Sequence, residues 1–222
     1  MNSWPQWLQK LLQPGVAHIL NFQKGLKNQI QLAIDNRGKG SDQTAHKTIF
    51  NELLESDLPP REKSLERLKD EAIVIVGAGT DTVKYALSVA CFHILNNPNI
   101  HKKLREELIQ AMPNPRDTLA LSELEPLPYL SAVIQEGYAV GMDPVHMHHN
   151  ERVFPNSYVF HPERWITEDG SFDKKLKQYN VPFSRGTRQC AGMNLAYAEM
   201  YLALSVMFRR FELELWNTDE SS

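Results

Sequence analysis

The stretch that decides the reading is Phe183-Ser184-Arg185-Gly186-Thr187-Arg188-Gln189-Cys190-Ala191-Gly192, followed directly by the helical run Met193-Asn194-Leu195-Ala196-Tyr197-Ala198-Glu199. One cysteine lies two residues after an arginine and two before a glycine. The order predicts a single sulfur held at the amino end of a helix, with a cation close by. Helix amino ends carry unpaired N–H groups and a partial positive charge, and both favour an anionic thiolate. Such a sulfur is what the iron of a haem takes as one axial ligand. An isolated cysteine is more often a small buried hydrophobe. What separates this one is the joint pattern F-x-x-G-x-R-x-C-x-G, filled here at every fixed position.

On those residues the decapeptide resembles the haem-binding loop of the cytochrome P450 family. The resemblance implies haem b (iron protoporphyrin IX) as cofactor and Cys190 as its axial ligand. It also implies dioxygen as co-substrate, an NADPH-dependent P450 reductase as electron donor, and an apolar small molecule as substrate. A thiolate pushes electron density onto the iron and so helps cleave the O–O bond, while N–H groups aimed at the sulfur withdraw charge and set the potential. Gly186 is expected to allow a tight turn and Gly192 a close approach of helix backbone to the porphyrin. Arg188 suits a haem propionate, a charge-assisted contact that favours a guanidinium. Phe183 is expected to shield the sulfur from water.

Outward from the loop, the 222 residues are 42% hydrophobic and 23% charged, ordinary values for a globular chain able to bury a core. A net charge of -3 gives no reason to expect nucleic acid as a partner. The two cysteines, Cys91 and Cys190, lie far apart, and the chain reads as intracellular. Without eighteen consecutive apolar residues or a signal-peptide core, no transmembrane segment is expected. The family is typically held at the endoplasmic-reticulum membrane with its catalytic domain in the cytosol. Without that anchor this chain is expected to be cytoplasmic or peripheral.

Helical patterning predicts elements over 16–37, 44–55, from Leu65 to about Asn96, from Pro98 to about Ala111, a single turn near 122–125, then 129–137 and 193–209. In the longest, Leu65, Leu68, Ala72, Ile75, Gly79, Thr82, Ala86 and Val89 recur at alternating steps of three and four. Residues 166–181 read as loop, and the alternation Phe211-Glu212-Leu213-Glu214-Leu215 reads as a short strand. The expected fold is mainly α: a partial cytochrome P450 fold with a long central helix, a haem-loop helix and little β structure, lacking the N-terminal half. The whole chain, 1–222, is taken as one truncated haem domain.

Midway along the long helix lies Ala78-Gly79-Thr80-Asp81-Thr82. Small side chains at 78 and 79 leave room for a flat cofactor and a diatomic ligand, and the Thr82 hydroxyl can bond back to the Ala78 carbonyl and open the helix locally. Taken alone, the segment suits a close helix–helix packing point better. It resembles the oxygen-activating motif of the same family, which makes Asp81 and Thr82 the proton-delivery candidates. Two further segments carry the resemblance. Tyr129 to Glu136 resembles the helix supplying the glutamate of an E-x-x-R motif, and Pro162-Glu163-Arg164-Trp165 resembles the segment whose arginine joins it. The run from Asn180 to Ser222 is most like filamentous-fungal members, which implies lipid-like or secondary-metabolite substrates.

The sequence leaves the family pattern after Gly137. Position 139 holds Ala139 where the motif calls for arginine, so Glu136 and Arg164 are expected to lack their third partner. Taking one member from a buried ionic cluster costs about 3–5 kcal/mol. A rival reading places a metal at His146, His148 and His149, although half-exposed loop histidines are the commoner outcome. Lys174, Lys175, Lys177 and Arg185 form a basic group ahead of the cysteine, suited to an acidic electron-donor protein or to a solvated face. Two functional readings stay open: a haem-thiolate monooxygenase, and a non-catalytic remnant with an incomplete haem pocket.

Overall fold

The computed structural model describes residues 14–36, 48–137 and 148–218. It is mostly helical, and the chain divides into two compact units, Met1–Ala78 and Gly79–Ser222, with the boundary inside the longest helix. In the first unit, α1 (Pro14–Asp35) and α2 (Ile49–Glu55) meet the opening turns of α3 (Leu65–Asn96). Thr48 starts α2 by accepting from the Asn51 N–H. Leu26 and Ile30 of α1, Leu54 of α2, and Leu68 and Ala72 of α3 are buried together.

The second unit holds the rest of α3, then α4 (Pro98–Ala111), α5 (Leu121–Leu124), α6 (Pro128–Gly137), a 3-10 turn (Pro162–Trp165), α7 (Lys174–Lys177), a second 3-10 turn (Gly186–Arg188) and α8 (Met193–Arg210). Pro98 opens α4 behind Asn97, whose side-chain oxygen accepts from Asn99 N–H (3.1 Å) and Ile100 N–H (3.4 Å). The core joins Val83, Ala86, Ala90 and Ile94 of α3 to Leu104 and Leu108 of α4. Leu130, Val133 and Ile134 of α6 and Met200, Leu204 and Phe208 of α8 complete it. Every residue of α6 from Tyr129 to Gln135 is buried. Gly137 marks a close approach of two helices: a Cβ there would lie 3.2 Å from that of Ala90, so a larger side chain would have to push α3 aside by a few tenths of an ångström.

Beyond Ala72 the buried stripe of α3 runs through Val83, Ala86, Ala90 and Ile94, whereas Thr82 is exposed and Val89 only half-buried. Alternating steps of three and four average 3.5 residues, and a straight helix of 3.6 residues per turn drifts off that stripe by about 20° every seven residues. Thr82 therefore belongs to the solvent side of the helix, not to the apolar face that the spacing predicts. By length and composition alone, α3 is also apolar enough to cross a membrane, even though Asp81 and Lys84 interrupt its sequence.

The expected strand at 211–215 does not form. Leu213 and Leu215 are half-buried between exposed neighbours, so the alternation survives, but a strand needs a ladder partner. Among the described residues the sole β pairing is an isolated bridge between Ile166 and Phe172. The polar stretch 166–181, expected to be loop throughout, holds that bridge and the single turn α7, which Asp173 caps at the N–H groups of Lys175 and Leu176.

Candidate haem-thiolate site

The Phe183–Gly192 loop is closed by its own backbone. The Cys190 N–H donates to the Phe183 carbonyl at 3.0 Å, and Gln189 N–H donates to the Gly186 carbonyl at 3.1 Å across the short 3-10 turn. Gly186 has φ of +80°, a left-handed conformation that costs an L-residue roughly 1–2 kcal/mol and glycine almost nothing. The turn that the sequence assigned to this glycine is therefore present. Gly192 is the residue before the first turn of α8, and no side chain caps that turn. An added Cβ on Gly192 would lie 3.9 Å from the Cys190 sulfur, so the sulfur sits beside the open amino end of the helix.

Cys190 is exposed, as is Arg188, which has no hydrogen-bond or ion-pair partner among the described residues. Phe183 is half-buried, packed against the core and tilted on Tyr197 with ring centroids 5.2 Å apart. A sulfur open to solvent beside uncapped N–H groups, with an uncommitted guanidinium two residues away, is a donor set that fits a haem iron and its propionates. Cys91 does not qualify: it is half-buried within α3, and burial pushes its thiol up to about 11, keeping it protonated.

The structure brings Glu136 and Arg164 together as the sequence implies, at 3.2 Å and with side chains only 10% and 8% exposed. The expected deficit of a third partner is met by other groups. Glu136 also accepts from the Trp165 indole N–H (2.6 Å) and the His161 backbone N–H (2.9 Å). Arg164 donates to the carbonyls of Pro155 (2.8 Å), Asn156 (3.2 Å), Val159 (2.9 Å) and His161 (3.3 Å). Both charged groups thus have several hydrogen-bond partners, and neither ion is orphaned here. Burial raises the Glu136 carboxyl above its ordinary value, outweighing the His161 N–H and the Arg164 charge that oppose it. Ala139 lies outside the described residues.

The oxygen-motif residues are not joined to this loop by any ion pair. Asp81 is 79% exposed and pairs with Lys84 along the helix at 2.8 Å, which holds its carboxyl below the usual range. Thr82 is exposed beside it, and Gly79 has open space where a Cβ would stand. Ala78 closes the first unit and is exposed. Among the described residues no group of three or more His, Cys, Asp or Glu side chains stands where it could hold a metal ion. His148 is buried rather than half-exposed and accepts from the Val181 N–H at 2.9 Å, while His149 stacks on Tyr158 and meets the Ser157 hydroxyl at 3.0 Å. His146 lies outside the described residues. The basic residues Lys174, Lys175, Lys177 and Arg185 line a cleft of about 1830 Å³ whose floor includes Phe183, Met193 and Tyr197.

Sequence reasoning missed the side chains that fix α6. Glu107 of α4 accepts from the N–H groups of both Tyr129 and Leu130 at 2.7 Å, capping α6 from outside it. Glu163 accepts from the Tyr129 hydroxyl (2.7 Å) and pairs with Lys103 (2.7 Å). No local signal marks such contacts, because donor and acceptor are separated by 22 or more residues.

A helical fold presenting one accessible sulfur from a glycine-framed loop before its last helix is an arrangement that suits a haem-thiolate protein. A family description of cytochrome P450 matches residues 1–137 and 134–221, and the chain belongs to that family. The two matches overlap over residues 134–137, so the chain passes from one to the other beside Gly137. N-acetyltryptophan 6-hydroxylase ivoC of Emericella nidulans is 40% identical over 95% of this chain and 47% of its own length. Cytochrome P450 monooxygenase orf4 of Eupenicillium brefeldianum is 37% identical over 99% and 49%. Tryptophan 6-hydroxylase fscE of Fusarium equiseti is 34% identical over 98% and 48%. The chain spans about half the length of the curated relatives it matches.

Proposed function

We propose that residues 1–222 form the haem-carrying part of a fungal cytochrome P450 monooxygenase. Its substrate is an apolar small molecule, lipid-like or of secondary metabolism, as the family resemblance implies; two relatives carry names that describe hydroxylation of tryptophan or its N-acetyl derivative, aromatic molecules that also bear a carboxylate. The reading is carried by the exposed Cys190 sulfur beside the uncapped amino end of α8. Haem b held there supplies the dioxygen chemistry, with electrons from an NADPH-dependent reductase, one oxygen atom entering the substrate and the other leaving as water. Cys190 contributes the anionic sulfur and the helix end stabilises its charge. Arg188 neutralises a propionate, and Gly186 holds the turn. Asp81 and Thr82, on the solvent side of α3, hold and pass protons at the Asp81 carboxylate and the Thr82 hydroxyl. Lys174, Lys175, Lys177 and Arg185 offer the positive face for an acidic electron donor. The family-typical location is the endoplasmic-reticulum membrane, with the catalytic part in the cytosol.

A second reading, a non-catalytic remnant with an incomplete haem pocket, is favoured by the two-part family match, whose parts meet beside Gly137. One experiment separates the two. The purified chain is mixed with haem, reduced and exposed to carbon monoxide. A thiolate-type Soret band that vanishes in Cys190→Ala and persists in Cys91→Ala supports the monooxygenase reading. Absence of that band from the folded parent chain supports the remnant, and equal behaviour of the two variants refutes the ligand assignment.

A further inference from the structure

Tyr197, the fifth residue of α8, is where three separate parts of the second unit converge. Its ring lies against Phe183 with centroids 5.2 Å apart and planes inclined at 54°. The Lys177 ammonium lies 5.3 Å from the ring centroid on its face, a cation–π arrangement. Its hydroxyl faces Gln135 of α6 at 3.4 Å, and Gln135 is held in turn by Asn180, whose amide donates to its backbone carbonyl (3.2 Å) and side-chain oxygen (3.1 Å). Gln135 is almost fully buried, so this anchor does not wander with solvent.

The contact with Phe183 matters because that residue makes the bond that closes the cysteine loop. Its carbonyl accepts from Cys190 N–H at 3.0 Å. A displaced Phe183 ring moves its own backbone, and the sulfur moves with the peptide bonded to it. The hydroxyl contact to Gln135 is long, and a neutral bond of that length contributes little, so the ring is the part that acts. Burial raises the Tyr197 hydroxyl above its ordinary value, and it stays protonated at neutral pH.

We propose that Tyr197 is a positioning residue for the Cys190 sulfur, acting through ring contact with Phe183 and the Phe183–Cys190 backbone bond. The proposal rests on Cys190 being the functional sulfur, and its first test needs no haem. In a Cys91→Ala background, alkylation of Cys190 near neutral pH is timed in the parent, Tyr197→Phe and Tyr197→Leu chains. Phe keeps the ring and should match the parent. Leu removes it, lets the exposed sulfur turn away from its place beside the end of α8, and should slow alkylation by about threefold or more. The same chains are then reconstituted with haem, reduced and exposed to carbon monoxide. The Leu chain should lose thiolate-type band in favour of a thiol-type band, and the Phe chain should not.

If Tyr197→Leu fails to fold, judged by helical circular dichroism, Phe183→Leu removes the same contact from the other side and must slow alkylation in the same way. A folded Leu variant that alkylates at the parent rate overturns the proposal, as does a Phe variant as slow as Leu. Slowed alkylation in chains that all fail to give a carbon monoxide band upholds the positioning role and refutes the haem reading alone.

Discussion

Replacing Glu136 by alanine tests the arrangement around the buried ion pair most directly. The substitution removes one partner from a pair whose side chains are 10% and 8% exposed, and it strips an acceptor from the Trp165 indole N–H and the His161 N–H. Breaking a buried pair by deleting one member costs about 3–5 kcal/mol when the remaining charge is stranded. Arg164 is not stranded here, because the carbonyls of Pro155, Asn156, Val159 and His161 still receive its N–H groups. The loss should therefore fall at the lower end, about 3 kcal/mol. Trp165 is buried and bonded to Glu136, so its fluorescence in a urea titration reports the unfolding of this region. Glu136→Gln adds a pH test. The buried carboxyl holds its proton more tightly folded than unfolded, so its contribution is complete below the ordinary carboxylate value and is lost as pH rises through the raised folded one. The parent should lose stability relative to Glu136→Gln across that window. A loss from Glu136→Ala under about 1 kcal/mol, the size of a surface pair, would refute the reasoning.

Other outcomes follow from single positions. Gly186→Ala should destabilise the cysteine loop by about 1–2 kcal/mol, since φ of +80° is strained for alanine; faster proteolysis of the loop in the purified chain would register it. Glu107→Ala should cost about 2–3 kcal/mol in urea titration, because two buried N–H groups at the start of α6 lose a charged acceptor. In mildly alkaline buffer, mass mapping after brief alkylation should find Cys190 modified well before Cys91, whose burial delays its ionisation to about 11. Asp81→Asn should leave the urea midpoint unchanged, because its pairing with Lys84 lies on the open surface of α3.

The helices from 65 to 137 and from 193 onward were legible because their signals are local: a 3.6-residue period, Pro98 after Asn97, and glycines before Met193. The cysteine loop was legible for the same reason, since turn, cation and sulfur lie within ten residues. Thr82 is exposed although it shares the spacing of the apolar stripe, because that spacing drifts along 32 residues of helix. The hydrogen bonds that complete Glu136 and Arg164 were invisible, since loop carbonyls carry no side-chain signature. Glu107 and Tyr197 escaped for a related reason. A capping carboxylate or a buried tyrosine reads as an ordinary helix residue until the partner helix is in place.

The arginines around the far end of α8 have a mechanical consequence. Arg209 donates to the carbonyls of Met112 (2.7 Å) and Pro113 (2.8 Å), Arg210 to those of Arg116 (3.1 Å) and Asp117 (3.2 Å), and Arg105 reaches back to Phe208 (3.4 Å) and Phe211 (3.3 Å). That end of the rod is riveted to the turn following α4, whereas the opposite end, beside Cys190, has no side-chain cap and is held by the Gln189 amide facing the Met193 sulfur (3.1 Å) and by Tyr197 against Phe183. A helix pinned so unevenly behaves as a cantilever, and the tip beside Cys190 is the end that gives first under strain.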